Sequence, residues 1–159
     1  MKIKFGDLIN VTLAPAVLAH FEYNRQIKRS DKEAGGQLFA HIEGDSWVVV
    51  LASGPRKSDW RHRFGFRPDR KRERAEIEEY FEAGLHYVGD WHTHPEPSPS
   101  PSSQDVESMN ELVQKSQHEL IGFLMVIVGQ SDWPGGLYVS LHTRCNFVID
   151  SEFEDRSAS

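Results

Sequence analysis

The stretch GDWHTHPEPSPSPSSQD, residues 89 to 105, holds two histidines, two aspartates, four prolines and four serines at the end of an apolar run. If the run entering it is a β-strand, His92 and His94 lie two residues apart and project from the same face. Their imidazoles can then meet one ion at the usual Zn–N distance of about 2.0–2.1 Å. A third donor is available in Asp105, at the opening of the helix expected after the loop, and Pro97, Pro99 and Pro101 stiffen the path between them. Two histidines and one carboxylate leave a fourth position open, which is the pattern of a catalytic zinc site. Water activated there needs a base from outside the ligand set. Ser102, Ser103 and Asp105 also suit ordinary N-terminal capping. Capping accounts for Ser102 and Asp105 but leaves the paired histidines unexplained.

Those residues need elements to position them. Residues 8 to 12 read as a short strand, and Val17, Leu18 and Phe21 give a helical stripe after Pro15. QLFAHI (37 to 42) and SWVVVLAS (46 to 53) read as strands joined at EGD. A further strand is expected over 61 to 67, then a helix from about 69 to 83 on Ile77, Tyr80 and Phe81, ending near Gly84. LHYVGDWHTH is the strand that enters the candidate site. A second long helix follows on Val106, Met109, Leu112 and Val113, then strands at 121 to 129 and 136 to 142. The reading is an α/β domain with a mixed sheet flanked by helices, over residues 1 to 150, with 151 to 159 a flexible C-terminal tail.

With 159 residues, 38% hydrophobic and 26% charged, the chain can bury one core without staples. One cysteine, Cys145, excludes an internal disulfide, and no run reaches the eighteen or so apolar residues of a membrane span. A cytoplasmic protein without a membrane partner is expected. Charge is uneven: residues 56 to 74 carry nine basic and three acidic side chains, a net of +6, against −12 for the remainder. The segment reads first as a solvated helix face with a flanking loop, and second as a docking patch for an acidic partner. Nucleic acid is disfavoured, because the chain is acidic overall and the segment interleaves only Trp60, Phe64 and Phe66.

His92-Thr-His94-Pro95, six residues, then Ser102-x-x-Asp105 resembles the JAMM motif of the JAB/MPN zinc metalloproteases in every typed position and spacing. The segment Glu33-Ala-Gly35-Gly36-Gln-Leu38-Phe39-Ala is similar to the family's upstream glutamate and apolar strand. The resemblance implies the JAB/MPN (cytidine deaminase-like) fold, with His92, His94 and Asp105 as zinc ligands. It also implies Glu33 as the general base and Ser102 as a hydrogen-bond donor to the oxyanion. The EAGGQLFA and GDWHTHP wording looks most like the bacterial JAB peptidases of cyclic-oligonucleotide (CBASS) anti-phage operons, which reverse ubiquitin-like conjugation of a nucleotidyltransferase. That likeness implies a partner presenting an extended C-terminal tail, which a sheet edge could read as an added strand. A second similar group processes or deconjugates small sulfur-carrier proteins.

Other classes fit less well. A zinc nucleoside deaminase needs H-x-E and P-C-x-x-C, which are absent. A cysteine protease on Cys145 would draw on His142, whereas a buried thiol at a strand end is the simpler role. An MPN scaffold without activity would ordinarily lack a ligand or the base, and this chain retains both.

Overall fold

A computed structural model describes residues 1–154. Its strands are β1 (Lys2–Phe5), β2 (Ile9–Leu13), β3 (Gly35–Glu43), β4 (Ser46–Ala52), β5 (Trp60–His62), β6 (Gly65–Arg67), β7 (His86–Thr93), β8 (Gly122–Val128), β9 (Leu137–Thr143), β10 (Val148–Asp150) and β11 (Glu152–Phe153). The helices are α1 (Pro15–Tyr23), α2 (Arg70–Glu82) and α3 (Ser103–Lys115). Nine strands form one mixed sheet in the order β10-β9-β8-β7-β3-β4-β2-β1-β11, and β5 and β6 form a separate hairpin. The pairs β2/β4 and β7/β8 are parallel, with α3 making the crossover from β7 to β8. The expected α/β mixed sheet with flanking helices is the fold observed.

Helix ends follow local chemistry. Pro15 opens α1 with its fixed φ. The Asp69 carboxylate caps α2 on the N–H groups of Lys71 and Arg72. Beyond α2, Gly84 takes a φ of 86°, which a residue with a Cβ rarely adopts.

Both faces of the sheet are covered, and β8 shows why its sequence is apolar without alternation. Leu124, Val126 and Val128 join the large cluster shared with Val17 and Phe21 of α1. Phe123, Met125 and Ile127 join Met109 and Val113 of α3 on the opposite side. A strand buried on both faces reads as a continuous hydrophobic run.

Several sequence expectations need correction. Residues 60–67 form a tight hairpin instead of one strand, because Trp60–His62 folds back onto Gly65–Arg67. Cys145 is exposed in the turn after β9, so it is no buried strand-end thiol. His142 is wholly buried and bonded to Asn110 and Ser140 instead. Of the segment read as a tail, Glu152–Phe153 pairs with β1 and the Glu154 N–H donates to the Lys2 carbonyl at 3.1 Å. Residues 155–159 lie outside the described residues. Strands β1 and β10 carry no clear local signal of their own; each is a short piece that folds back antiparallel on its sequence neighbour, β1 on β2 and β10 on β9. No helix among the described residues is long and apolar enough to cross a membrane.

Candidate metal centre and its cleft

The C-terminal half of β7 carries two functional faces. Asp90, His92 and His94 form one row, and Trp91 and Thr93 turn the other way into the core. Trp91 is 1% exposed, packs against Phe21, and donates from Nε1 to the Ser53 carbonyl at 2.8 Å. Beside it, Gly35 pairs with His92 in the β3/β7 register. A Cβ on Gly35 would meet the Phe66 ring at 2.8 Å, and one on Gly36 would collide with the Ser53 backbone. The two glycines therefore let β3 start pressed between the hairpin and the end of β4, with Glu33 just ahead of it.

Helix α3 closes the group. Ser102 caps it: its Oγ accepts from the Asp105 N–H at 3.1 Å while Asp105 Oδ2 accepts from the Ser102 N–H at 2.8 Å. This box holds the Asp105 carboxylate over β7. The His92 Nε2 and His94 Nε2 atoms face each other at 3.2 Å. Asp105 Oδ1 lies 3.3 Å from the first and Oδ2 3.4 Å from the second. Ligands in a tetrahedron with bonds of about 2.0–2.1 Å stand roughly 3.3–3.4 Å apart, so the donors already have the spacing an ion requires. Three hydrogen-bonding groups aimed at one centre, each only 15–20% exposed, fit a divalent metal better than they fit one another.

Electrostatics agree with that geometry. Burial alone would raise the Asp105 carboxyl, but hydrogen bonds from His92, His94 and the Ser102 N–H hold it far below the ordinary carboxylate range. His94 is raised: burial opposes its charge, and Asp105 more than offsets that. Glu33 is raised chiefly by burial, with the two histidines pulling it down and Asp105 pushing it up. Its main chain is fixed by its N–H to the His62 carbonyl at 2.7 Å and by Arg61 Nε on its own carbonyl at 2.8 Å.

All five residues singled out in the sequence, Glu33, His92, His94, Ser102 and Asp105, line one open cleft of about 710 Å³. Trp60 and Phe66 of the hairpin form one wall, and Met109 and Leu112 of α3 contribute another. The sequence does not reveal the hairpin as a cleft wall, because nothing local to residues 60–67 says where it packs. Glu96 also goes unmarked in the sequence: its Oε2 lies 3.8 Å from His94 Nδ1, a buried nitrogen without a hydrogen bond. Of the +6 segment, Arg67 and Arg70 reach the cleft. Arg56 is instead held within the fold by Asp59, Glu73 and Glu76.

Residues 19–140 match the family described as prokaryotic homologs of the JAB domain. Among similar curated proteins, one from Vibrio cholerae serotype O1 is 34% identical over 136 residues, covering 82% of this chain and 83% of that one. One from Enterobacter hormaechei is 31% identical over 135 residues, 84% of this chain and 73% of that one. One from Escherichia coli is 28% identical over 130 residues, 79% and 81% of the two chains. Each of the three bears the name CD-NTase/cGAS isopeptidase. The solution structure of a Desulfitobacterium hafniense protein shares the fold at a TM-score of 0.57 and 18% identity, over 89% of either chain. A Salinibacter ruber protein does so at 0.51 and 20% identity, over 91% of this chain and 88% of that one.

Proposed function

The chain belongs to the family of prokaryotic JAB-domain homologs, and on that premise we propose that it is a zinc-dependent isopeptidase that detaches a nucleotidyltransferase from proteins joined to its C-terminus. The reaction is hydrolysis of an amide or isopeptide bond, in the setting of bacterial anti-phage defence. The observation that carries the reading is the convergence of His92, His94 and Asp105 beside Glu33 on one cleft.

His92 and His94 through Nε2, and Asp105 through its carboxylate, would hold the zinc ion. Such an ion supplies Lewis-acid polarisation of the scissile carbonyl and brings the pKa of water toward about 7. Glu33, raised by burial yet beside two histidines, is suited to take a proton from the attacking water and pass it to the leaving amine. Ser102 accepts through Oγ from the Asp105 N–H, which leaves its hydroxyl proton free to donate to the developing oxyanion. A cleft of about 710 Å³ has room for an extended tail and not for a folded domain. The retention of Glu33 with all three donors speaks against a scaffold.

The test is cleavage of a nucleotidyltransferase conjugate by purified, zinc-loaded protein, with a sulfur-carrier fusion and a metal-stripped sample alongside. Release of intact nucleotidyltransferase, lost on chelation and restored by zinc, is expected. Cleavage of the sulfur-carrier fusion alone would shift the substrate assignment, and no cleavage with one bound zinc per chain would leave a scaffold.

A further inference from the structure

Behind the side of β7 that carries His92 lies a second polar cluster, built from residues other than those that line the cleft. Thr93, between the two histidines, points the opposite way and is wholly buried, as is Gln26 in the loop after α1. Thr93 Oγ1 donates to Gln26 Oε1 at 2.7 Å and accepts from the Ala34 N–H at 2.9 Å. The Thr93 N–H also donates to the Ala34 carbonyl at 2.9 Å. Gln26 Nε2 donates to the Arg63 carbonyl at 2.7 Å and, at 3.4 Å, to the Asp31 carbonyl. The Gln26 carbonyl accepts from Gln130 Nε2 at 2.7 Å.

Two buried side chains thus join three separate segments: the loop that ends in Glu33, the turn of the β5–β6 hairpin, and β7. A buried amide is costly unless its bonds are made, and an apolar side chain of that size would fill the same volume without the cost. The arrangement makes sense if what it secures is register. Glu33 precedes Ala34, the residue bonded twice to Thr93, and Arg63 sits in the turn of the hairpin whose Arg61 and His62 grip the Glu33 main chain.

We propose that Gln26 and Thr93 are positioning residues, a buried clasp that holds Glu33 and the cleft-lining hairpin in register with His92 and His94. The inference rests on the reading of Glu33 as the base. The clasp touches neither substrate nor metal donors, so it acts on kcat through the placement of Glu33. A misplacement near 1 Å can cost about 100-fold in rate.

Thr93→Val keeps shape but removes the hydroxyl, Gln26→Met removes the amide, and Thr93→Ser restores the hydroxyl. In zinc-loaded protein with a short fluorogenic peptide, Thr93→Val and Gln26→Met are expected to lower kcat about 10–100-fold while KM moves less than about threefold. Bound zinc should stay at the wild-type level, and Thr93→Ser should lie within about threefold of wild type. The Ala34 amide should exchange faster in Thr93→Val and not in Thr93→Ser. Wild-type kcat in folded, zinc-bound Thr93→Val, or a Thr93→Ser as impaired as Thr93→Val, overturns the clasp. If Thr93→Val does not fold, Gln26→Met decides in its place, because Thr93 there keeps its bonds to Ala34: wild-type kcat in that variant overturns the clasp, and a loss upholds it. Glu33→Ala is run beside them: wild-type turnover in that variant removes the base assignment, whereas Ala34 exchange still tests the clasp.

Discussion

At the residue scale, ligand, base and oxyanion donor make different demands, so single substitutions separate them. Glu33→Ala is expected to keep zinc and lose peptidase activity, because the carboxylate lies beside the donor set and outside it. Metal analysis together with turnover checks this, and normal turnover in a zinc-loaded sample ends the assignment. On the proposed ligand set, His92→Ala or Asp105→Ala should lose metal as well, since each would remove one of the three candidate donors. Stoichiometric zinc in either would take that residue out of the ligand set. Ser102 has two roles to weigh. Its Oγ makes the cap that holds Asp105, so Ser102→Ala should cost about 1 kcal/mol of stability. If its proton also meets the oxyanion, kcat should fall about 100–1,000-fold with KM little changed. An unchanged kcat reduces Ser102 to a helix cap.

At the element scale, α3 must be held against the sheet for Asp105 to stay above β7. Part of that hold is His142 on β9, wholly buried, with Nδ1 against Asn110 Oδ1 at 2.8 Å and Nε2 against Ser140 Oγ at 3.0 Å. Burial pushes the imidazole down to about 4. In the unfolded chain it titrates near about 6.5, so as pH falls from about 6.5 to 4 the unfolded state takes up a proton that the folded state refuses. Stability should therefore decline through that window, by up to about 3 kcal/mol from this group. Chemical denaturation at several pH values should show a flatter profile in His142→Asn than in the parent. An identical slope would mean that His142 is protonated in place.

At the scale of the whole molecule, the positive segment divides into two kinds of charge. Arg56 is committed to its acidic partners Asp59 and Glu76, while Arg70, Arg72 and Arg74 are exposed on the first turns of α2. Arg70 is also held by Glu73 at 2.9 Å. Exposed charges act on an acidic substrate body over a Debye length of about 8 Å, and salt weakens them. Arg70 also lines the cleft, so the clean test is Arg72 and Arg74: reversing those two to glutamate should raise KM for a whole protein substrate and spare a short peptide. Equal effects on both, or none, would make this face of α2 a solvated surface and nothing more.

How much was legible in the residues themselves follows from range. The paired histidines, the Ser102 cap and the long helices are consequences of spacing over a few residues, where strand and helix periodicity act directly. Glu33 was placed by likeness to a family, since a glutamate in a loop carries no periodic signal. The separation of 59 residues between His92 and Glu33 is closed by the β3/β7 register, which puts Gly35 opposite His92, and by the Thr93 and hairpin bonds beside it. Likewise the hairpin wall, the pairing of Glu152–Phe153 with β1 and the buried contact of Gln26 with Thr93 depend on partners far along the chain. The sequence by itself determined which groups could bind a metal and activate water. Only the tertiary structure decided that they share one cleft, because contacts across such distances are selected by the packing of the whole sheet and not by any local preference.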